Sequence, residues 1–199
     1  SGFSSMMRNL SPEESSNLQR LWRHSFHTAI LALHFNYSTS IGFQGEEFTA
    51  GLLHDVGRVL LGLLLPERSA ELDMLDYDGA PHLVDREQSL AGADHCLIGA
   101  WYAQENALPP ALIEAVHWHH DPSQASRQHQ RLVALTAVCD DMANHLQRVG
   151  SPDGYELRDC PAIGILELSG VRNAFRRFDS MHAVLMRNAL YDAEQMLKA

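Results

Sequence analysis

Apolar positions in this chain recur every three or four residues along most of its length, and nowhere does apolar-polar alternation persist long enough to build a sheet. The pattern predicts an all-α fold. Ser11-Pro12-Glu13-Glu14 opens the first helix, with serine as the cap and proline in the first turn, and this helix is expected to run to about residue 40, ahead of Gly42. Further helices are predicted over about 45–55, 59–65, 66–75, 85–91, 93–106, 109–120, 127–148, 162–168 and 180–197. Gly150-Ser151-Pro152-Asp153-Gly154 is the clearest loop. It either divides two closely packed helical lobes, about 10–150 and 151–199, or lies inside a single domain spanning 1–199.

Within this apolar framework the run LLHDVGRVLL, residues 52–61, sets His54 beside Asp55. An imidazole and a carboxylate in a core segment need hydrogen bonds, an ion partner or a metal, because burying them alone costs several kcal/mol. The chain holds 12 histidines, and helical geometry separates them. Leu21, His24, Thr28, Leu31 and Phe35 form one mostly apolar row, so His24 is expected to face packing, while Arg20, Arg23, His27, His34 and Ser38 share a polar row expected to be solvated. His119 stacks with Leu108, Leu112 and Val116, and His120 lies beside Ile113 and Val116, whereas His117 turns outward. His95 shares a row with Ile98, Gly99 and Tyr102, where the glycine leaves room for a neighbour. In the helix over 127–148, Leu132, Leu135, Cys139, Met142 and Leu146 make a core stripe. Asp140 sits on a second face of small residues, Val133, Thr136, Ala137 and Ala143, and Asp141 is expected to be solvated.

Five segments thus send ligand-type side chains inward: His24, His54 with Asp55, His95, His119 with His120, and Asp140. Together they could hold two divalent ions bridged by Asp55, and imidazole with carboxylate suits iron, manganese or zinc. Arg58, one turn after Asp55, is placed to meet a phosphate oxygen. The alternative is that each histidine is a core residue hydrogen-bonded to a carbonyl.

Composition narrows the partners. A net charge of −10 with a single lysine, Lys198, argues against a surface that tracks nucleic-acid phosphates. The longest apolar run, 59–65, is too short to cross a bilayer, and no signal peptide is evident. Three scattered cysteines without a C-x-x-C spacing fit a reducing compartment, so a cytoplasmic location is expected.

The phrases LWRHS, AGLLHDVGRVLL, GADHCLIGAWYAQENALPPALIEAVHWHHDP and LVALTAVCDDMA, spread over about residues 10–148, resemble the HDOD branch of the HD superfamily of metal-dependent phosphohydrolases. The resemblance implies a helical bundle in which His24, His54, Asp55 and Asp140 hold one ion, and Asp55 bridges to a second held by His95, His119 and His120. It also implies that Arg58 stands where the related HD-GYP cyclic-di-GMP phosphodiesterases generally carry lysine. The Gly-Tyr-Pro signature of that group is missing, since Ser123-Gln124-Ala125-Ser126 follows His119-His120-Asp121-Pro122, and Gly154-Tyr155 lacks the proline.

HDOD domains resemble regulatory or interaction modules, often with an incomplete ligand set, whereas this chain keeps all seven candidates. The resemblance therefore supports two expectations. One is a bacterial signalling module acting through partner proteins or fused signalling domains, with a metal centre. The other is a metal-dependent phosphohydrolase acting on a nucleotide or cyclic dinucleotide, with Asp55 and Arg58 as catalytic residues. Phe175, Phe178, Met181, Leu185, Met186, Leu190, Met196 and Leu197 near the C-terminal end are expected to pack into the core, with a partner surface as the alternative. The acidic segment 66–90 is expected to be a solvated helical connection, with a lid over the site as the alternative.

Overall fold

The computed structural model describes residues 12–72 and 80–198, and among them no strand occurs. The helices are α1 (Pro12–Thr39), α2 (Glu46–Leu53), α3 (Val56–Leu64), α4 (Ser69–Leu72), α5 (Ala80–Ala91), α6 (His95–Glu105), α7 (Pro110–Trp118), α8 (Gln130–Val149), α9 (Ala162–Leu168), α10 (Ala174–Asp179) and α11 (His182–Lys198). Three 3-10 turns, Pro66–Arg68, Pro122–Gln124 and Leu157–Asp159, link them.

Two helices form the centre. From His24 to Asn36 on α1, and from Leu132 to Asp140 on α8, no residue is exposed. A helix buried on every side has no polar face, so the row expected to be solvated on α1 is exposed at Arg20, Arg23 and Ser38 but not at His27 and His34 between them. His27 is only 3% exposed, and His34 is partly buried with its Nε2 3.3 Å from the Asp192 carboxylate of α11. Helices α2, α8 and α11 all pack on α1 and leave no solvated side at this level.

Burial, with His24 and Arg23 nearby, lowers the His27 pKa from 6.5 to about 4. Among the described residues its Nδ1 finds no hydrogen-bond partner. The unfolded ring takes up a proton below pH 6.5 while the folded one stays neutral to about pH 4, so stability falls as the pH drops through that window. At about 1.4 kcal/mol per pKa unit, the effect reaches about 3 kcal/mol. His27→Leu is expected to flatten the acid limb of stability between those pH values, checked by urea unfolding at stepped pH; an unchanged limb would show that His27 is not its source.

The larger core joins α1 and α8 to the C-terminal helices: Leu31, Phe35, Leu135, Met142, Leu157, Leu166, Phe178 and Met186 are all buried in one cluster. Phe35 and Phe178 stack with ring centroids 4.0 Å apart. Leu185, Met186, Ala189 and Ala193 of α11 lie in this core, and Phe175, Met181 and Leu190 pack against it, so the expected core role holds for them. The side chains of Met196 and Leu197 lie outside the described residues. A smaller cluster, Ala50, Leu112, Ala115, Ala125, Leu132 and Val133, joins α2, α7 and α8.

Close helix crossings at glycine bring the elements together. A Cβ on Gly51 of α2 would lie 2.7 Å from the Ala29 backbone of α1. One on Gly57 of α3 would overlap the His95 carbonyl oxygen of α6, and Gly99 faces Gly57 from the other side. The turn from α1 to α2 is tied by a buried amide: Asn36 Nδ2 donates to Glu47 Oε1 (2.8 Å), and Asn36 Oδ1 accepts from the Gly42 and Phe43 amides, each at 3.0 Å.

Several boundaries differ from expectation. Helix α3 starts at Val56, directly after Asp55, and the helix expected at 85–91 begins at Ala80. The stretch 66–75 divides into a 3-10 turn and the short α4, with 73–75 outside the described residues. Helix α10 was not anticipated, its six residues being too few to show a period.

Candidate metal centre

Each candidate side chain is aimed inward by a local device. His54 and His119 both sit just past a helix end and reach back three residues: His54 Nδ1 lies 2.8 Å from the Gly51 carbonyl, and His119 Nδ1 lies 2.9 Å from that of Val116. A carbonyl only accepts, so Nδ1 carries the hydrogen in both rings and the Nε2 atoms point into the cluster. Asp55 stands at the N-cap of α3 yet makes no capping bond there, because its carboxylate turns to the histidines. His95 opens α6 behind the Asp94 cap, whose carboxylate accepts from the Leu97 amide at 2.8 Å. Asp140 projects from the middle of α8, and Asn144 one turn later donates to its Oδ1 at 3.0 Å.

These groups form two sets that share one carboxylate. In the first, His24 Nε2 lies 2.9 Å from Asp140 Oδ1 and 3.2 Å from His54 Nε2, and His54 Nε2 is 3.5 Å from the same Asp140 oxygen. In the second, His95 Nε2 lies 3.4 Å from His119 Nε2 and 3.1 Å from His120 Nε2. Asp55 faces both. Its Oδ2 is 3.8 and 3.7 Å from His24 and His54, while its Oδ1 is 3.4 and 3.7 Å from His95 and His119. The ligand atoms of His24, His54 and Asp140, of His54, Asp55 and His119, and of His95, Cys96, His119 and His120 fall within 4.8 Å of one another in each group.

The donor geometry fits divalent ions. Ligands about 2.0–2.2 Å from one ion stand roughly 3.0–3.5 Å apart, which is the spacing within each set. Nitrogen lone pairs facing each other at this distance repel unless a cation or a proton lies between them. The electrostatics of the cluster favour positive charge there. Burial opposes charge on Asp55 and Asp140, but the adjoining histidines hold both carboxyls well below the usual carboxylate range, with Arg58 helping at Asp55. Burial also disfavours charge on His54 and His95. Asp55 and Asp140 nevertheless raise His54, and Cys96, Glu87 and Asp55 raise His95 well above the ordinary imidazole range. His119 is driven well below that range by burial and by His120, and His120 falls to about 4 through burial and His95. The two buried carboxylates thus favour positive charge on His54 and His95, at the place where ions would supply it.

The structure brings all seven candidate ligands together, with His120 the most exposed at 18% of its side chain. The Arg58 side chain is 6% exposed and turns back onto the centre, its Nη1 3.1 Å from Asp55 Oδ2. His117 stacks on Trp118 instead. Asp141 is not solvated as expected: it is half-buried and accepts from the Tyr155 hydroxyl at 2.6 Å, and burial raises its carboxyl pKa.

Two contributors escaped the sequence reading. Glu87 of α5 is 1% exposed and its Oε2 accepts from both the backbone amide (2.8 Å) and Nδ1 (2.6 Å) of His95, which fixes the ring with Nε2 inward. The segment expected to be a solvated connection therefore supplies a buried buttress, and nothing in its acidic pattern marks Glu87 apart from Glu67 or Glu71. Cys96 places Sγ 3.4 Å from His95 Nε2. Its adjacency to His95 was a signal available in the sequence.

Comparison with known proteins agrees with this architecture. The HDOD domain family model matches residues 1–122. An uncharacterized protein from Treponema pallidum (strain Nichols) is 28% identical over 125 residues, 61% of this chain and 24% of that protein. Among solved structures, an HDOD domain protein of unknown function from Geobacter sulfurreducens is 23% identical with a TM-score of 0.61, over 85% of this chain and 61% of that one. A protein from Shewanella amazonensis SB2B, provisionally named a phosphohydrolase, is 24% identical with a TM-score of 0.56, over 86% and 62%. Both structural likenesses bear on the fold. The chain spans about a quarter of the Treponema protein and about three-fifths of each solved chain.

Proposed function

We propose a function from a settled premise: the chain belongs to the HDOD domain family. It is a bacterial signalling module that works through partner proteins or fused signalling domains, organised around a buried pair of divalent ions, iron, manganese or zinc. His24, His54, Asp55 and Asp140 hold one ion, and Asp55 bridges to the other on His95, His119 and His120. The observation that carries this reading is the convergence of these seven groups with Nδ1 of three rings committed elsewhere and with little of the cluster reaching solvent. A centre enclosed in this way is suited to holding the helices in one arrangement that a partner can read. Net charge −10 disfavours a nucleic-acid partner. A cytoplasmic setting fits the three free, buried cysteines, and among the described residues no helix is long and apolar enough to cross a membrane.

The second reading, a phosphohydrolase for a nucleotide or cyclic dinucleotide, draws on Arg58 beside the bridging carboxylate and on the provisional name of the Shewanella neighbour. Bound ions would supply Lewis acidity toward a phosphoryl oxygen. In that case Asp55 would position the ions and Arg58 would leave Asp55 to meet the phosphate. The missing Gly-Tyr-Pro signature weighs against cyclic-di-GMP.

The test is to load the protein anaerobically with each metal and assay bis(p-nitrophenyl) phosphate and cyclic dinucleotides beside Asp55→Ala. The module reading expects retained metal and no turnover above the variant. Turnover that Asp55→Ala abolishes would establish the hydrolase instead.

A further inference from the structure

The second ligand set carries a group of a different chemical kind. Cys96 is 6% exposed, and its sulfur lies 3.4 Å from His95 Nε2 and within 4.8 Å of the ligand atoms of His119 and His120. At a zinc-sulfur distance of about 2.3 Å and a zinc-nitrogen distance of about 2.0–2.1 Å, tetrahedral donors of these two kinds stand roughly 3.5 Å apart. The position of Cys96 therefore meets the coordination requirement as well as those of the three rings.

The fold explains how two consecutive residues reach one point. His95 and Cys96 occupy the first turn of α6, and Glu87 holds the His95 ring by Nδ1 so that Nε2 lies beside the sulfur. The other cysteines, Cys139 and Cys160, are buried in the main core.

We propose that Cys96 is a thiolate ligand of the second ion, completing a set of three histidines and one cysteine. The inference rests on the metal centre proposed above and adds a donor to it. On binding, the thiol proton is released to solvent and the sulfur donates its electron pair to the ion, with no change of oxidation state. A thiolate with three imidazoles selects zinc and similar borderline-soft ions over magnesium, calcium or manganese. Asp55 Oδ1, 3.4 Å from His95 Nε2, remains the bridge to the first ion, so the second ion still depends on that carboxylate.

Cobalt(II) provides the test, since its visible bands report binding and a strong near-ultraviolet charge-transfer band reports a cobalt-thiolate bond. Metal-free protein and its Cys96→Ser variant are titrated with cobalt under argon. The expected result is both bands in the parent protein, and in Cys96→Ser the visible bands with the near-ultraviolet band lost. Visible bands without the charge-transfer band in the parent protein would overturn the thiolate while leaving the histidine-aspartate centre standing. A charge-transfer band that survives in Cys96→Ser would assign the sulfur elsewhere and overturn it as well. Absence of visible bands from folded parent protein would overturn the metal centre itself, and this inference with it. The parent spectrum decides the question even if Cys96→Ser folds poorly.

Discussion

The double variant His54→Ala, Asp55→Ala is expected to bind no divalent ion and to lose the thermal stabilisation that metal gives the parent chain. His54 serves one ligand set and Asp55 faces both, so together they remove donors on which each ion depends. A site present only in the folded state stabilises it by about 4 kcal/mol when free metal exceeds the dissociation constant a thousandfold. Melting curves with and without metal separate this loss from the direct cost of altering the cluster, in which Asp140 would lose the His54 contact at 3.5 Å. The parent protein should show a metal-dependent rise in melting temperature and the variant none. An equal rise in both would place the ions elsewhere.

Gly57→Ala is expected to damage fold and centre together. A Cβ there would overlap the His95 carbonyl oxygen and sit 2.9 Å from the Gly99 amide nitrogen, and backbone cannot swing aside as a flexible side chain can. Helix α3 would have to move off α6, separating Asp55 from His95, at a cost of about 3 kcal/mol or more by analogy with overpacked cores. Gly62, five residues on in the same helix, has nothing within 4 Å of its would-be Cβ. Gly62→Ala should therefore stabilise the protein by about 0.5–1 kcal/mol, since alanine is the better helix former. Chemical denaturation of both variants checks the opposite signs; similar stabilities would mean that the α3–α6 contact is looser than described.

Helical periodicity made the element order legible, and the inward rows on α1, α7 and α8 correctly brought His24, His119 and Asp140 inside. The same wheel failed for His27 because it assumes a solvated face, and α1 has none between His24 and Asn36. Asp141 was misread for a related reason: its partner, Tyr155, lies 14 residues on, across the loop after α8. Glu87 could not be found from pattern at all, since its contact with His95 depends on how α5 turns into α6. Which Asp55 oxygen faces which histidines is likewise a property of packing. The glycines were visible as gaps, but only the packed helices show that Gly57 is a backbone contact and Gly62 an open position.

The most direct measurement is the metal content of the protein, purified without an affinity tag or chelator and then reconstituted anaerobically with iron, manganese or zinc. Close to two equivalents per chain, falling to none in His54→Ala, Asp55→Ala, is the predicted result. A folded protein that remains metal-free after reconstitution would contradict the account, and would mean that the histidines and carboxylates are held by shared protons alone.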